Sequence, residues 1–492
     1  MQYVKLQLPP GVARQGTEYA VQGRYFDANL MRWHQGVIQP VGGWRQFSDS
    51  TLTGKPRAMM TWVTNSNTIF AFVGTHSNAY VLTQSGVVTD ITPTSGFTTG
   101  RADAESGGGY GASTYGTGTY GDPRPNTSVV NPATIWTVDQ FGQLPIACAE
   151  TDGTIWEWDL NTANNLVAVT NAPTGNAAVM VTNDLFVFAL GASSNPRKVA
   201  WCDRANRTDW TPSATNLAGD VELKTNGKIR CGKRIRGGEL IFTDVDVHLA
   251  RYVGKPSVYV FDQVGEACGV ISQGSVATVA NRAYWMGQNG FFVYDGYTKP
   301  LRCDVLEYVF NNLNTQQQSK VVAVHNTEFN EIWWYYPCGD STECDCYVYY
   351  NYVDDHWGIG TLTRLSGAPK GVFGNLLLAG DDGYIYEHEI TQSRDNRDAT
   401  LRAAPIELGN GERYMYAREY VPDEGTVGDS TIRFFTRLYP QATENTHGPF
   451  TSASPKLVRF SGRQVGWEYT IASGTDGRIG VPRLKVTPGG AR

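Results

Sequence analysis

The chain has 492 residues, 41 Lys and Arg against 47 Asp and Glu, and only 18 % charged side chains. That length allows two or three domains, and 41 % hydrophobic residues suffice for a sizeable core, so disorder is not the default. A net charge of −6 argues against an extended nucleic-acid-binding surface, no run approaches the ~20 apolar residues of a membrane helix, and the opening MQYVKLQLPPG lacks a signal-peptide hydrophobic region.

The 54 Gly exceed the usual share of ~7 %, and 13 Trp, 26 Tyr and 19 Phe accompany them. Gly-rich, aromatic-rich, charge-poor chains read as all-β with many turns. Residues 1–34 are taken as an N-terminal segment that closes the main fold or packs on a C-terminal β-domain. From about residue 35 one pattern recurs: Asp or Asn, Gly, a spacer, an apolar residue and aromatics in alternation. It appears weakly at Asn78-Ala79-Tyr80-Val81-Leu82, then as Asp152-Gly153-Thr154-Ile155-Trp156-Glu157-Trp158. It returns as Asn289-Gly290-Phe291-Phe292-Val293-Tyr294 and Asp382-Gly383-Tyr384-Ile385-Tyr386-Glu387-His388. An Asn/Asp-Gly turn feeding alternating large side chains is a β-hairpin signal.

The spacing sets the architecture. Asp152 and Asn289 are 137 residues apart, and Asn289 and Asp382 are 93 apart, which is three and two units of about 46. Hairpin material near 198, 246 and 347 fills the skipped positions, giving seven units. Asn78 and Asp152 are separated by one unit plus a Gly/Tyr/Thr-rich insertion at about 95–131. A period of 40–50 residues with four short strands is the β-propeller signature, so about seven blades are expected over 35–391. Asp304–Leu313 has helical spacing with Asp304 as N-cap and Glu307 three residues on, a short helix between blades. Residues 392–492 leave the repeat; their 12 Arg and 2 Lys against 11 acids give +3, leaving −9 for residues 1–391. Strand-like runs there predict a separate β-domain or platform.

Candidate chemistry is sparse. His34, His76, His248, His325, His356, His388 and His447 show no paired-ligand spacing, and neither a nucleophile elbow nor a phosphate-binding loop is present. Cys148, Cys202, Cys231, Cys268 and Cys303 are scattered and read as buried, reduced thiols. Cys338, Cys344 and Cys346 cluster without a zinc-type spacing, and two of them could form a local disulfide. Asp354-Asp355-His356-Trp357 reads as a general acid/base group or as an ordinary strand-turn junction. The Asp-Gly-x-x-Trp turn is related to the Asp boxes of sialidase propellers, which stabilise turns remote from the chemistry. Asp152, Gly153, Asn289, Gly290, Asp382 and Gly383 are therefore assigned a structural role, with no catalytic, metal or cofactor residues and no cofactor expected.

The stretches Asn330-Glu331-Ile332-Trp333-Trp334-Tyr335-Tyr336-Pro337, Asp345–Tyr352 and His356-Trp357-Gly358-Ile359-Gly360 resemble tail-hub proteins of short-tailed phages, the nozzle or packaged-DNA-stabilisation proteins. So do Gly380–Glu389, the opening Pro9-Pro10-Gly11-Val12 with Trp33-His34-Gln35-Gly36 and Gly42-Gly43-Trp44, and the ending through Gly480-Val481-Pro482-Arg483-Leu484 to Arg492. The resemblance implies a virion structural protein without catalysis, present in six copies as a ring below the portal and head–tail adaptor. It also implies that double-stranded DNA passes non-specifically, that spikes, fibres or a needle attach, and that assembly occurs in the host cytoplasm. The alternative is a carbohydrate-binding or carbohydrate-cleaving propeller, a receptor-binding tail protein. A third reading is a cellular propeller scaffold, which predicts a monomer with a defined peptide partner. An acidic chain suits a channel through which DNA slides, because a basic lumen would hold phosphates.

Overall fold

Alternating apolar runs joined by a two-residue turn pair with each other before they pair with anything distant, and here each such hairpin forms the middle of a four-stranded antiparallel sheet. The computed structural model describes residues 2–109, 124–407 and 411–490. Blades 1 to 7 comprise residues 56–90, 136–168, 178–222, 229–265, 276–300, 322–361 and 366–391. The first strand of each blade runs beside that of the next, and Ser366–Ala368 returns to Pro56–Val63, so the ring closes at seven. Blade 7 has only three strands of its own; Gly43–Gln46 supplies the fourth, with Arg45 opposite Glu387 and Trp44 opposite His388. Closure thus ties residue 43 to residue 391 by backbone hydrogen bonds.

Large rings fill the wedges between blades. Phe70 and Trp158 pack edge to face at 5.1 Å, as do Phe242 and Trp285 at 5.2 Å. Each fully buried aromatic side chain contributes about 4–6 kcal/mol as an upper bound. The Trp and Tyr rows of blade 6 lie in this core too: Trp334, Tyr347 and Tyr349 are fully buried. No helix among the described residues is long and apolar enough to cross a membrane.

The last hundred residues and the first thirty build one two-sheet domain. Its four-stranded sheet takes Gln2–Lys5, Arg483–Pro488, Met415–Val421 and Lys456–Gly462 in that order. The five-stranded sheet takes Tyr25–Asn29, Ala399–Glu407, Gln464–Ile471, Ser430–Arg437 and Asn445–Thr451. Alternation puts Met415, Ala417 and Tyr420 of one sheet against Phe434, Trp467 and Tyr469 of the other. This C-terminal β-domain shares a single apolar core with blades 5, 6 and 7. The seam is also hydrogen-bonded: the Tyr347 hydroxyl accepts from Leu30 N at 2.7 Å, and Val12 N donates to Trp357 O at 2.8 Å.

One detail differs from the sequence reading, and two others sharpen it. The helix, α1, spans Leu306–Asn312, and its cap position is Val305 rather than Asp304. The Asp304 carboxylate is drawn away by Arg24 at 3.0 Å and Arg302 at 3.4 Å, a charge pair that outweighs one capping hydrogen bond. Cys338 and Cys346 form a disulfide, whereas Cys148, Cys202, Cys231, Cys268, Cys303 and Cys344 are free and buried. The insertion between blades 1 and 2 is not simply an open loop: Glu105–Gly109 pairs antiparallel with Arg124–Asn131. Its residues 110–123 lie outside the described ones.

Candidate functional site

The blade turns come first, because the sequence singled them out. Asp152 accepts from Thr154 N at 3.2 Å and from Trp156 Nε1 at 2.8 Å, while Gly153 takes φ +69°. Asp382 repeats the arrangement, accepting from Tyr384 N at 3.2 Å and from the Tyr386 hydroxyl, with Gly383 at φ +83°. One carboxylate thus holds the turn and the aromatic ring four residues on. Asn289 and Gly290 sit at the equivalent turn of blade 5, without a positive φ. Each pair lies between the second and third strands of its own blade, so the six residues are distributed around the ring and do not converge.

Asp354-Asp355-His356-Trp357 forms the turn and strand start between Cys346–Asn351 and His356–Thr361. The His356 ring is buried against the edge of Trp33, and burial lowers its pKa. Asp355 accepts from the Tyr350 hydroxyl at 2.9 Å. Both ring nitrogens are buried without a hydrogen bond to either carboxylate; such an imidazole is a packing group, which favours the strand-turn junction over the acid/base alternative.

The central channel is a second candidate. All seven first strands line a cavity of about 400 Å³. Asp139 and Arg234 pair across it at 2.5 Å, and Asp139 also accepts from Val181 N at 2.8 Å. Side chains cross between blades near its mouth. Gln273 donates to Ala177 O at 2.9 Å. Gln317 exchanges two hydrogen bonds with Ala104 at the root of the insertion, at 2.9 and 3.2 Å. Beside it, Lys320 reaches Asp103 and Glu343, and Glu343 takes both ends of the Arg57 guanidinium at 2.7 Å. This clamp joins the connection between blades 1 and 2 to that between blades 5 and 6. The space suits a small ligand and not a duplex, whose major groove alone is about 12 Å wide.

A concavity of about 1010 Å³ lies where the outer face of the four-stranded sheet of the C-terminal β-domain meets Asn445–Thr451 of the five-stranded sheet. Strand register aligns Tyr3, Lys485, Glu419 and Leu457 in one row across all four strands. A bulge between Ala417 and Glu419 turns Arg418 outward beside Glu419. Lys5 stands directly opposite Arg483. The face therefore carries five cations, Lys5, Arg418, Arg459, Arg483 and Lys485, against one acid, Glu419, which Lys485 meets at 3.3 Å. Sequence reasoning missed this face because four segments separated by up to 480 positions build it; only the +3 of residues 392–492 hinted at it.

No protein-family model matches the sequence, and no curated protein matches it. Among solved structures the chain is similar to virginiamycin B lyase from Staphylococcus aureus, with 7 % identity, a TM-score of 0.42, and 70 % of this chain and 97 % of that chain covered. It is also similar to the WD40 repeats of RRP9, with 7 % identity, a TM-score of 0.41, and 71 % and 99 % covered. PorZ of Porphyromonas gingivalis has 8 % identity and a TM-score of 0.37 over 76 % of this chain and 44 % of that one. These are likenesses of fold alone, and the fold is the β-propeller.

Proposed function

We propose that the chain is a structural subunit of a tail hub or nozzle of a short-tailed phage. In this reading it assembles as a ring, six copies by the resemblance, below the portal and head–tail adaptor. The ring retains packaged DNA, lets it pass during ejection and carries spikes, fibres or a needle, with no catalytic step. The observation that carries the reading is where the family-like segments fall. Asn330–Pro337, Asp345–Tyr352, His356–Gly360 and Gly380–Glu389 belong to blades 6 and 7. Together with blade 5 these blades share one apolar core with the C-terminal β-domain, and Tyr347 and Trp357 of blade 6 hydrogen-bond across the seam, so the resembling residues take part in fixing the two bodies to each other.

Two further observations support it. The propeller's own channel is too narrow for a duplex and is bridged near its mouth, so DNA would run between copies rather than through a propeller. The Trp and Tyr rows of blade 6 are core residues, so they offer no exposed platform on which a sugar ring could stack. Light scattering and negative-stain images of the purified chain, with and without portal–adaptor complex, test the proposal. A closed ring, alone or on the complex, is expected. A persistent monomer that ignores the complex and binds or cleaves glycan would overturn it.

A further inference from the structure

The outward face of the four-stranded sheet gathers cations from all four of its strands in one place. Elsewhere many cations are paired or shared: Arg402 and Arg437 share Glu18 and Glu444, and Arg57 shares Glu343 with Lys320. Arg364 and Arg394, which meet no acid, are buried and bond other groups. On this face Lys5, Arg418, Arg459 and Arg483 have no acidic partner among the described residues. Lys5 and Arg483 are direct cross-strand neighbours, a pairing of like charges that weakens a sheet unless something anionic covers it. Three large side chains stand exposed among the cations: Tyr3 at 48 %, Tyr416 at 46 % and Leu457 at 65 %. Lys485 and Arg483 lean on the Tyr3 ring at 5.5 and 6.0 Å.

We infer that this face docks a second copy of the chain, its cations meeting the acidic surface of the neighbour's propeller. The inference rests on the ring reading and names the surface that makes the ring. Two arguments select a protein occupant from this same chain. Exposed Leu, Tyr and Arg together are the composition of a protein–protein contact, and a phosphate backbone has no use for Leu457. Residues 1–391 carry the complementary surplus, −9. Size then decides the kind of contact. Four strands about 4.8 Å apart and about 20 Å long present roughly 400 Å², about half of the ~800 Å² per partner of a stable two-body interface. Such a contact is weak singly and holds when each copy makes two of them in a closed ring.

The test uses the full chain with Arg418→Glu/Arg459→Glu, both side chains being exposed, and Arg418→Lys/Arg459→Lys as the charge-preserving control. Sedimentation velocity reads assembly at low and high salt, and copy number is counted on portal–adaptor complex. The expected result is at least a tenfold loss of self-association in the Glu variant, near-retention in the Lys variant, and weakening by salt. A Glu variant that assembles like the wild type would overturn the inference and leave the hub reading intact. A wild type that forms no ring, alone or on the complex, would overturn both. Binding of a 20-base-pair duplex that the Glu variant loses, with assembly unchanged, would assign the face to nucleic acid and overturn it.

Discussion

Blades 1–7 and the C-terminal β-domain are both antiparallel β-structure, yet they satisfy their polar groups over different distances. In the blades the satisfying groups are local: Asp152 holds Thr154 and Trp156, and Asp382 holds Tyr384 and Tyr386. In the C-terminal domain they are remote: Gln2–Lys5 needs Arg483–Pro488, and Tyr25–Asn29 needs Ala399–Glu407. The blades are a repeated scaffold built almost wholly from local segments, Gly43–Gln46 in blade 7 being the strand that comes from far along the chain. The C-terminal domain exists only when both ends of the chain meet, and its outer face retains cations that the chain itself does not neutralise.

The junction is where breaking that comparison costs most. Arg32 is fully buried between Glu331 at 3.1 Å and Glu389 at 2.6 Å, and burial pushes Glu331 up to about 7 despite the guanidinium beside it. Arg32→Met leaves both carboxyls without their cation and is expected to lower stability by about 3–5 kcal/mol. Denaturant unfolding checks this; if blades and C-terminal domain share one core, tryptophan fluorescence and circular dichroism shift together. A variant within 1 kcal/mol of wild type would mean that the junction tolerates the loss.

The next effect lies in the scaffold. Cys338–Cys346 closes a loop spanning 8 positions, so Cys338→Ser/Cys346→Ser is expected to cost about 2–3 kcal/mol on the chain-entropy estimate. The wild type in dithiothreitol should match it in the same titration. A smaller contrast separates two turns that look alike in sequence. Gly153 has φ +69°, and a Cβ there would sit 2.8 Å from Gly175 Cα, whereas Gly290 has neither constraint. Gly153→Ala should cost more than about 1 kcal/mol and Gly290→Ala stay within about 0.5 kcal/mol, both read from thermal midpoints.

Acid sensitivity divides the molecule further. His325, in the first strand of blade 6, is held by burial down to about 4. The unfolded ring takes its proton near 6.5, so its contribution is fully present above that pH and falls as pH is lowered from about 6.5 towards 4. His325→Gln should flatten the wild-type fall in melting temperature over that range, and an unchanged slope would exclude His325 as its source. The smallest stability effect belongs to the exposed face. Arg418→Glu is expected within about 0.5 kcal/mol of wild type, although it removes a cation from the proposed contact.

What was legible in the sequence follows the same division. A turn whose Asp or Asn, Gly and aromatic ring lie within five residues repeats visibly at 152, 289 and 382, and the spacing of those marks in multiples of about 46, with other hairpin runs between them, amounts to a propeller. Asp304 shows the limit of local reading: the helix pattern is correct, but Arg24, 280 residues away, takes the intended cap. The basic face is the extreme case. Lys5, Arg418, Arg459 and Arg483 are unremarkable in their own segments and become a surface only through register across four strands. The net charge of −6 averaged that surface away.

The division of labour is tested most directly by hydroxyl-radical footprinting of the full chain, dilute and assembled. Tyr3, Tyr416 and Leu457 should lose reactivity on assembly, while Tyr297 at the exposed edge of blade 5, 81 % accessible, should keep it. Protection of Tyr297 with Tyr416 and Leu457 unchanged would contradict the assignment and make the blades, not the C-terminal domain, the assembling region.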